Sequence, residues 1–147
     1  MIQESSLEEF LRKKLSSHLH LNDEDSYMSA EVSQAFVAAL LEWKKNILQE
    51  TEKTMDNLKS QDLAASDMSD QATQEESFSF YLKERDRERK LLKKIDEALV
   101  MLEKEEYGFC TSCGVEIGYE RLLARLTATM CIDCKSAQES MERHQSS

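Results

Sequence analysis

The sequence predicts a mainly α-helical protein, in which a long antiparallel coiled-coil hairpin is attached to a small globular end that carries a four-cysteine site. Three observations lead to this fold class. The chain of 147 residues has no proline and three glycines, and a third of its residues are charged, which favours long solvated helices over one large core. Two consecutive stretches have apolar residues at helical spacing. The four cysteines form two close pairs.

Residues 1–28 are predicted to form a short helix and a linker that belong to the globular end. Apolar residues recur there at helical spacing: Leu7, Phe10, Leu11 and Leu15. His18 and His20 are two positions apart, so they do not share one helix face, and we interpret them as solvated surface histidines.

Residues 29–107 are predicted to form the hairpin, with its tip at residues 66–72. The apolar pattern repeats at spacings of three and four, or their sums, on two arms of about 36 residues, each roughly 50 Å long. Folding the chain back at the tip brings the two rows together in antiparallel order. The predicted pairs are Phe36 with Leu102, Leu40 with Leu99, Trp43 with Ile95, and Ile47 with Leu92. The pattern continues toward the tip through Thr54, Leu58, Phe78 and Tyr81.

The row of paired residues weakens toward the tip, where Arg85 and Glu88 take its positions. A hairpin of this length buries little surface per residue and makes a poor globular core. Two interpretations stay open on the pattern alone: a dimerising or spacer coiled coil, or a probe whose tip reaches a deep site. The tip carries Asp67 and Asp70, which fit the N-cap and the N3 position of a capping box, so a purely structural role explains both.

The cysteines are the strongest chemical signal. Two C-x2-C pairs, Cys110 with Cys113 and Cys131 with Cys134, are separated by seventeen residues, a spacing typical of a four-cysteine zinc site. Gly114 directly follows one pair and suits the tight turn that such a site needs. Four thiolates leave no open position on Zn²⁺, so we predict one structural zinc ion and no catalytic metal. The zinc-finger segment spans 108–135, and a C-terminal helix or tail follows at 136–147.

The second arm carries the basic run KERDRERKLLKK, from Lys83 to Lys94. Asp86 and Lys90 form a favourable pair, but several like charges stand four residues apart, which destabilises a helix slightly. Such a run fits a solvated face, or a partner that is an acidic protein surface, a nucleic-acid backbone or a phosphorylated small molecule. Arg87, Leu91 and Lys94 share one face.

The net charge of −10 argues against unassisted binding to nucleic acid. The first ten residues lack the apolar core of a signal peptide and are too acidic for a transit peptide, and no apolar run has the length of a membrane span. We expect a soluble cytoplasmic protein, where cysteines bind metal more often than they form disulfides.

These motifs together resemble the DksA/TraR family of bacterial RNA polymerase-binding transcription factors, and its DksA-type members in particular. The resemblance rests on RDRERKLLKKI, YGFCTSCGVEIGYERLLAR, CIDCK and the D-x-x-D-x-A pattern of Asp67, Asp70 and Ala72. It implies a coiled coil that enters the secondary channel of RNA polymerase, with the two aspartates acting at the tip near the catalytic centre. The globular zinc end stays at the channel rim.

The resemblance also implies synergy with the stringent-response alarmone ppGpp, bound between the factor and polymerase. The positions that match its binding residues are Arg87, Leu91, Lys94, Arg125 and Lys135. The family often has proline where this chain has Met68 and Leu126, which predicts a less rigid tip and a less constrained loop between the cysteine pairs.

The family resemblance implies a monomeric, non-enzymatic regulator of transcription initiation that binds no promoter DNA. Two alternatives are a transcript-cleavage-type factor of the secondary channel, whose acidic tip assists hydrolysis of RNA, and a zinc-stapled coiled-coil adaptor unrelated to polymerase.

Overall fold

The structure, a computed structural model, describes residues 9–17, 27–64 and 68–145. The helices are α1 (residues 9–17), α2 (Ala30–Ala64), α3 (Met68–Glu103), α4 (Tyr119–Ala124) and α5 (Ile132–Gln145). Within these ranges, β structure is limited to an isolated antiparallel bridge between Phe109 and Glu116. The prediction of a mainly α-helical fold with two long helices is therefore confirmed. No helix in the described ranges is both long and apolar enough to cross a membrane.

The chain divides into two compact units. The cysteine unit comprises Met1–Leu40 and Asp96–Ser147, and the arm unit comprises Leu41–Ile95. The earlier division into four segments stays a prediction.

In the arm unit, α2 and α3 pack in antiparallel order. Trp43, Ile47 and Ile95 are 7%, 2% and 0% exposed, as expected for the row of paired residues. Thr51 Oγ1 lies 2.5 Å from Glu88 Oε2, which is one helical turn further along each arm than the predicted pair of Ile47 and Leu92. This hydrogen bond confirms the antiparallel order. It is a polar contact between the arms at a position where the paired row is no longer apolar.

Nearer the tip, the paired row is no longer buried. Phe78 is 56% exposed and Thr54 is exposed, so their assignment to a buried row was wrong, whereas the weakening toward the tip is confirmed. Asp67 lies outside the described residues. Asp70 and Ala72 belong to the first turns of α3, and the structure describes only their backbone.

In the cysteine unit, residues from several helices form the core. The buried side chains include Leu11, Leu15, Val32, Phe36, Leu40, Ala98, Leu102, Tyr107, Leu122 and Leu126. The Phe36 ring lies 5.3 Å from that of Tyr107 and 6.5 Å from that of Tyr119. Phe10 is 56% exposed and does not share the buried face of α1. The predictions for Leu7, His18 and His20 fall outside the described residues.

Candidate functional site: a four-cysteine metal centre

The first cysteine pair sits in a tight turn. The Gly114 amide donates to the Cys110 carbonyl over 2.9 Å, and the Cys110 amide donates to the Val115 carbonyl over 2.8 Å. Gly114 has φ 80°, a left-handed conformation that glycine adopts without steric cost. The turn therefore brings Cys110 and Cys113 to the same side of the loop.

The second pair lies at the start of α5. Cys131 directly precedes the helix, and Cys134 lies in its first turn. The Cys134 amide donates to Cys131 Sγ over 3.4 Å. The Thr111 amide donates to the Thr129 carbonyl over 2.9 Å, which joins the segments that carry the two pairs.

The four sulfur atoms lie within 4.8 Å of one another, and Cys113 Sγ is 3.7 Å from Cys131 Sγ. A tetrahedral zinc ion with Zn–S bonds of about 2.3 Å separates its sulfur ligands by roughly 3.8 Å. Cys110 and Cys131 are only 4% and 9% exposed. The donor set and its spacing thus fit one structural zinc ion.

The thiols depend on one another for their ionisation. Backbone N–H groups, first that of Cys131 and then that of Cys113, lower the pKa of Cys110 to about 6. The neighbouring cysteine side chains, Cys131 first, raise the pKa of Cys134 to about 12. Without a metal ion, the cluster therefore favours ionisation of Cys110 and disfavours ionisation of Cys134. A divalent cation would stabilise all four cysteines as thiolates.

Tyr27 closes the loop that carries the first cysteine pair. Its hydroxyl donates to the Gly108 carbonyl over 2.7 Å and accepts from the Gly118 amide over 3.0 Å. The Ile117 amide also donates to the Gly108 carbonyl, over 2.8 Å. A Cβ atom on Gly108, which has φ 92°, would lie 2.9 Å from Met28 Cγ. Sequence reasoning missed this arrangement, because no local pattern connects Tyr27 with a loop 81 residues away.

The loop between the cysteine pairs is fixed by Tyr107. Its buried hydroxyl donates to the Leu126 carbonyl over 2.6 Å, and burial raises the pKa of Tyr107 above its ordinary value. Leu126 itself is 5% exposed. The position where the family often has proline is thus occupied here by a core side chain.

The basic run on α3 is partly neutralised by acids of its own helix. Arg87 pairs with Glu84 over 3.2 Å, while Asp86 pairs with Arg89 over 2.8 Å and with Lys90 over 3.0 Å. The predicted Asp86–Lys90 pair is confirmed. These hydrogen bonds, that of Lys90 first, hold the pKa of Asp86 below its ordinary value. Ion pairs within α3 therefore neutralise more of the positive charge of the run than the single pair predicted from the sequence.

The five residues matched to alarmone binding lie in different units. Arg87, Leu91 and Lys94 belong to α3 in the arm unit, where Leu91 is half-buried and Lys94 is exposed. Arg125 and Lys135 belong to the cysteine unit, where Arg125 is exposed and follows α4, and Lys135 is half-buried. Their grouping into one site stays a prediction.

The chain matches two family descriptions: "DnaK suppressor protein DksA, N-terminal domain" over residues 32–102, and "Prokaryotic dksA/traR C4-type zinc finger" over residues 105–140. It is 43% identical over 119 residues to the RNA polymerase-binding transcription factor DksA of Salmonella typhimurium, which covers 81% of this chain and 79% of the relative. This chain belongs to the DksA/TraR family. The factor of the same name from Haemophilus influenzae is 42% identical over 123 residues, or 84% of this chain and 85% of the relative.

The structure agrees with this family assignment. The solved structure of transcription factor DksA2 from Pseudomonas aeruginosa matches with a TM-score of 0.78 and 37% identity, over 88% of this chain and 99% of that one. The match to the DksA/TraR zinc finger spans all four cysteines, and together with their clustering it supports a structural zinc ion.

Proposed function

We propose that this protein is a regulator of transcription initiation that binds RNA polymerase directly and catalyses no reaction itself. The observation that carries the proposal is the 43% identity, over 81% of the chain, to relatives named RNA polymerase-binding transcription factor DksA. The similarity includes both the hairpin region and the zinc-finger region.

The hairpin is the part that reaches into polymerase. Helices of 35 and 36 residues extend roughly 50 Å at about 1.5 Å per residue, enough to enter the secondary channel. The tip residues Asp67, Asp70 and Ala72 then lie beside the catalytic centre. Negative charge at that position destabilises short-lived promoter complexes by competing for polymerase contacts.

The cysteine unit remains at the rim of the channel. Its zinc ion has a structural role, because four thiolate ligands leave no position for a substrate. Cys110, Cys113, Cys131 and Cys134 hold together a segment that is too small to fold by hydrophobic burial alone.

The alarmone ppGpp binds between the factor and polymerase. Arg87, Lys94, Arg125 and Lys135 supply positive charge for its phosphates, and Leu91 supplies apolar contact. Lys94 and Arg125 are exposed and accessible. Arg87 would exchange its exposed ion pair with Glu84 for a phosphate, which costs little because such pairs contribute about 0–1 kcal/mol.

The protein acts in the bacterial cytoplasm as a monomer and does not bind promoter DNA. The net charge of −10 supports the last point, because it repels the phosphates of DNA.

Transcription with purified components tests the proposal. The protein should change initiation at promoters with short-lived open complexes, and ppGpp should increase the change. Stalled elongation complexes in the same reactions should retain full-length RNA. Shortened RNA from these complexes would instead assign a transcript-cleavage function, and no effect in either assay would leave only an adaptor role.

A further inference from the structure

The N-terminal helix α1 lies before both regions that match the family, yet it contacts one of them. Arg12 Nη2 donates a hydrogen bond to the Ala124 carbonyl over 3.0 Å, between residues 112 positions apart. Ala124 is the last residue of α4, and Arg125 follows it. The contact therefore ends next to a residue that we assign to ppGpp.

Helix α1 is held in position by its buried leucines, so Arg12 can make this bond. Leu11 and Leu15, one turn apart, are 0% and 2% exposed. Because burial of apolar side chains stabilises packing, these two leucines hold α1 against the core of the cysteine unit. Arg12 and Lys13 lie on the exposed side of the same helix, and the Arg12 guanidinium reaches the end of α4 from there.

The end of α4 needs such a donor. The last carbonyls of a helix have no partner inside the helix and carry partial negative charge, so a guanidinium stabilises them. Arg125 is in an extended conformation, with φ −145° and ψ 97°, and its amide donates to the Arg121 carbonyl over 2.8 Å. The Ala128 amide donates to the Arg125 carbonyl over 3.1 Å. Tyr107 holds the following loop through the Leu126 carbonyl, whereas Arg12 bonds the last carbonyl of α4 itself.

We propose that Arg12 is a positioning residue for the alarmone response: it holds the end of α4 so that Arg125 is presented to the phosphates of ppGpp. The inference rests on the proposed alarmone function. Arg12 itself need not touch the ligand. Guanidinium–phosphate bonds depend on geometry, so a displaced backbone at Arg125 weakens them although its charge is intact.

The test compares Arg12→Ala with Lys13→Ala, which removes the same charge from the same helix. The readout is the ppGpp concentration that gives half the maximal effect on purified transcription. We expect Arg12→Ala to raise it about fivefold, which corresponds to about 1 kcal/mol. Lys13→Ala should leave it unchanged, and Arg12→Lys, which keeps one charged donor, should give an intermediate value.

Hydrogen exchange gives a second readout that needs no ppGpp. The amides of Arg125 and Ala128 should exchange faster in Arg12→Ala than in Lys13→Ala, while regulation without ppGpp and the melting temperature stay close to those of the parent. If the parent responds to ppGpp but both variants respond equally well, the positioning role of Arg12 is wrong. If the parent itself shows no response, the proposed alarmone function fails, and the exchange data alone then decide whether Arg12 anchors the end of α4.

Discussion

Tyr27 donates a hydrogen bond from its hydroxyl to the Gly108 carbonyl over 2.7 Å. This bond connects the segment just before α2 to the loop that carries Cys110 and Cys113. The same hydroxyl accepts from the Gly118 amide, so one side chain holds both ends of the loop. The metal centre is thus supported by a residue that is not a ligand.

Replacing Tyr27 with phenylalanine should destabilise the cysteine unit. The change removes both hydrogen bonds and leaves the Gly118 amide without its partner, which costs about 1–3 kcal/mol. Urea denaturation followed by near-ultraviolet circular dichroism measures the loss. Tyr81→Phe, which removes a hydroxyl from α3 in the arm unit, is the matched control and should change stability little. Equal stability of Tyr27→Phe and the parent would mean that the loop is held by its backbone bonds and the metal alone.

The metal centre should contain one zinc ion per chain. Cys110→Ser and Cys134→Ser each remove a thiolate ligand, so zinc should be lost and the segment around the site should unfold. Elemental analysis and circular dichroism of the purified variants measure both effects. Thr111→Ala, an exposed change in the same turn, should retain the metal. Parent protein with no stoichiometric zinc and four freely titrating thiols would contradict the structural role.

The long helices and the metal centre could be predicted from the sequence because both are local or periodic signals. Apolar spacing identified α2 and α3 and the pairing near Ile47, and the two C-x2-C motifs identified the cluster. The contacts of Tyr27 and Arg12 could not be predicted, since each connects residues far apart in sequence and depends on tertiary packing. Phe78 was misassigned because helical spacing alone does not show where two helices stop burying side chains.

The alarmone prediction concerns Lys94. Lys94→Ala should weaken the added effect of ppGpp while binding to polymerase stays largely intact, because a charge-assisted hydrogen bond contributes about 1.5–3 kcal/mol. Titration of ppGpp into a purified transcription reaction measures the shift. Lys93→Ala removes a charge that is also exposed, from the neighbouring position, and should behave like the parent. If the two variants are indistinguishable, the basic run is a solvated face.

A regulatory role of the tip aspartates can be distinguished by experiment from a role in capping α3. Asparagine caps a helix about as well as aspartate, so Asp67→Asn and Asp70→Asn should change stability by no more than about 0.5 kcal/mol. They should still bind polymerase but lose the effect on transcription, because they lack the negative charge that we propose acts beside the catalytic centre. Asp56→Asn, an exposed change on α2, is the control for loss of charge and should regulate normally. Full regulation by both tip variants would show that the aspartates only cap α3.

Direct binding to purified bacterial RNA polymerase tests the central claim. Titration of polymerase into fluorescently labelled protein, followed by anisotropy, should give saturable binding without any DNA. Excess promoter DNA in the absence of polymerase should give no binding. A variant that lacks residues 66–72 should still bind polymerase, because we propose that most contacts lie along the arms and at the rim, but it should not regulate. Failure of the intact, zinc-loaded protein to bind polymerase, or binding only to the promoter DNA, would contradict the account.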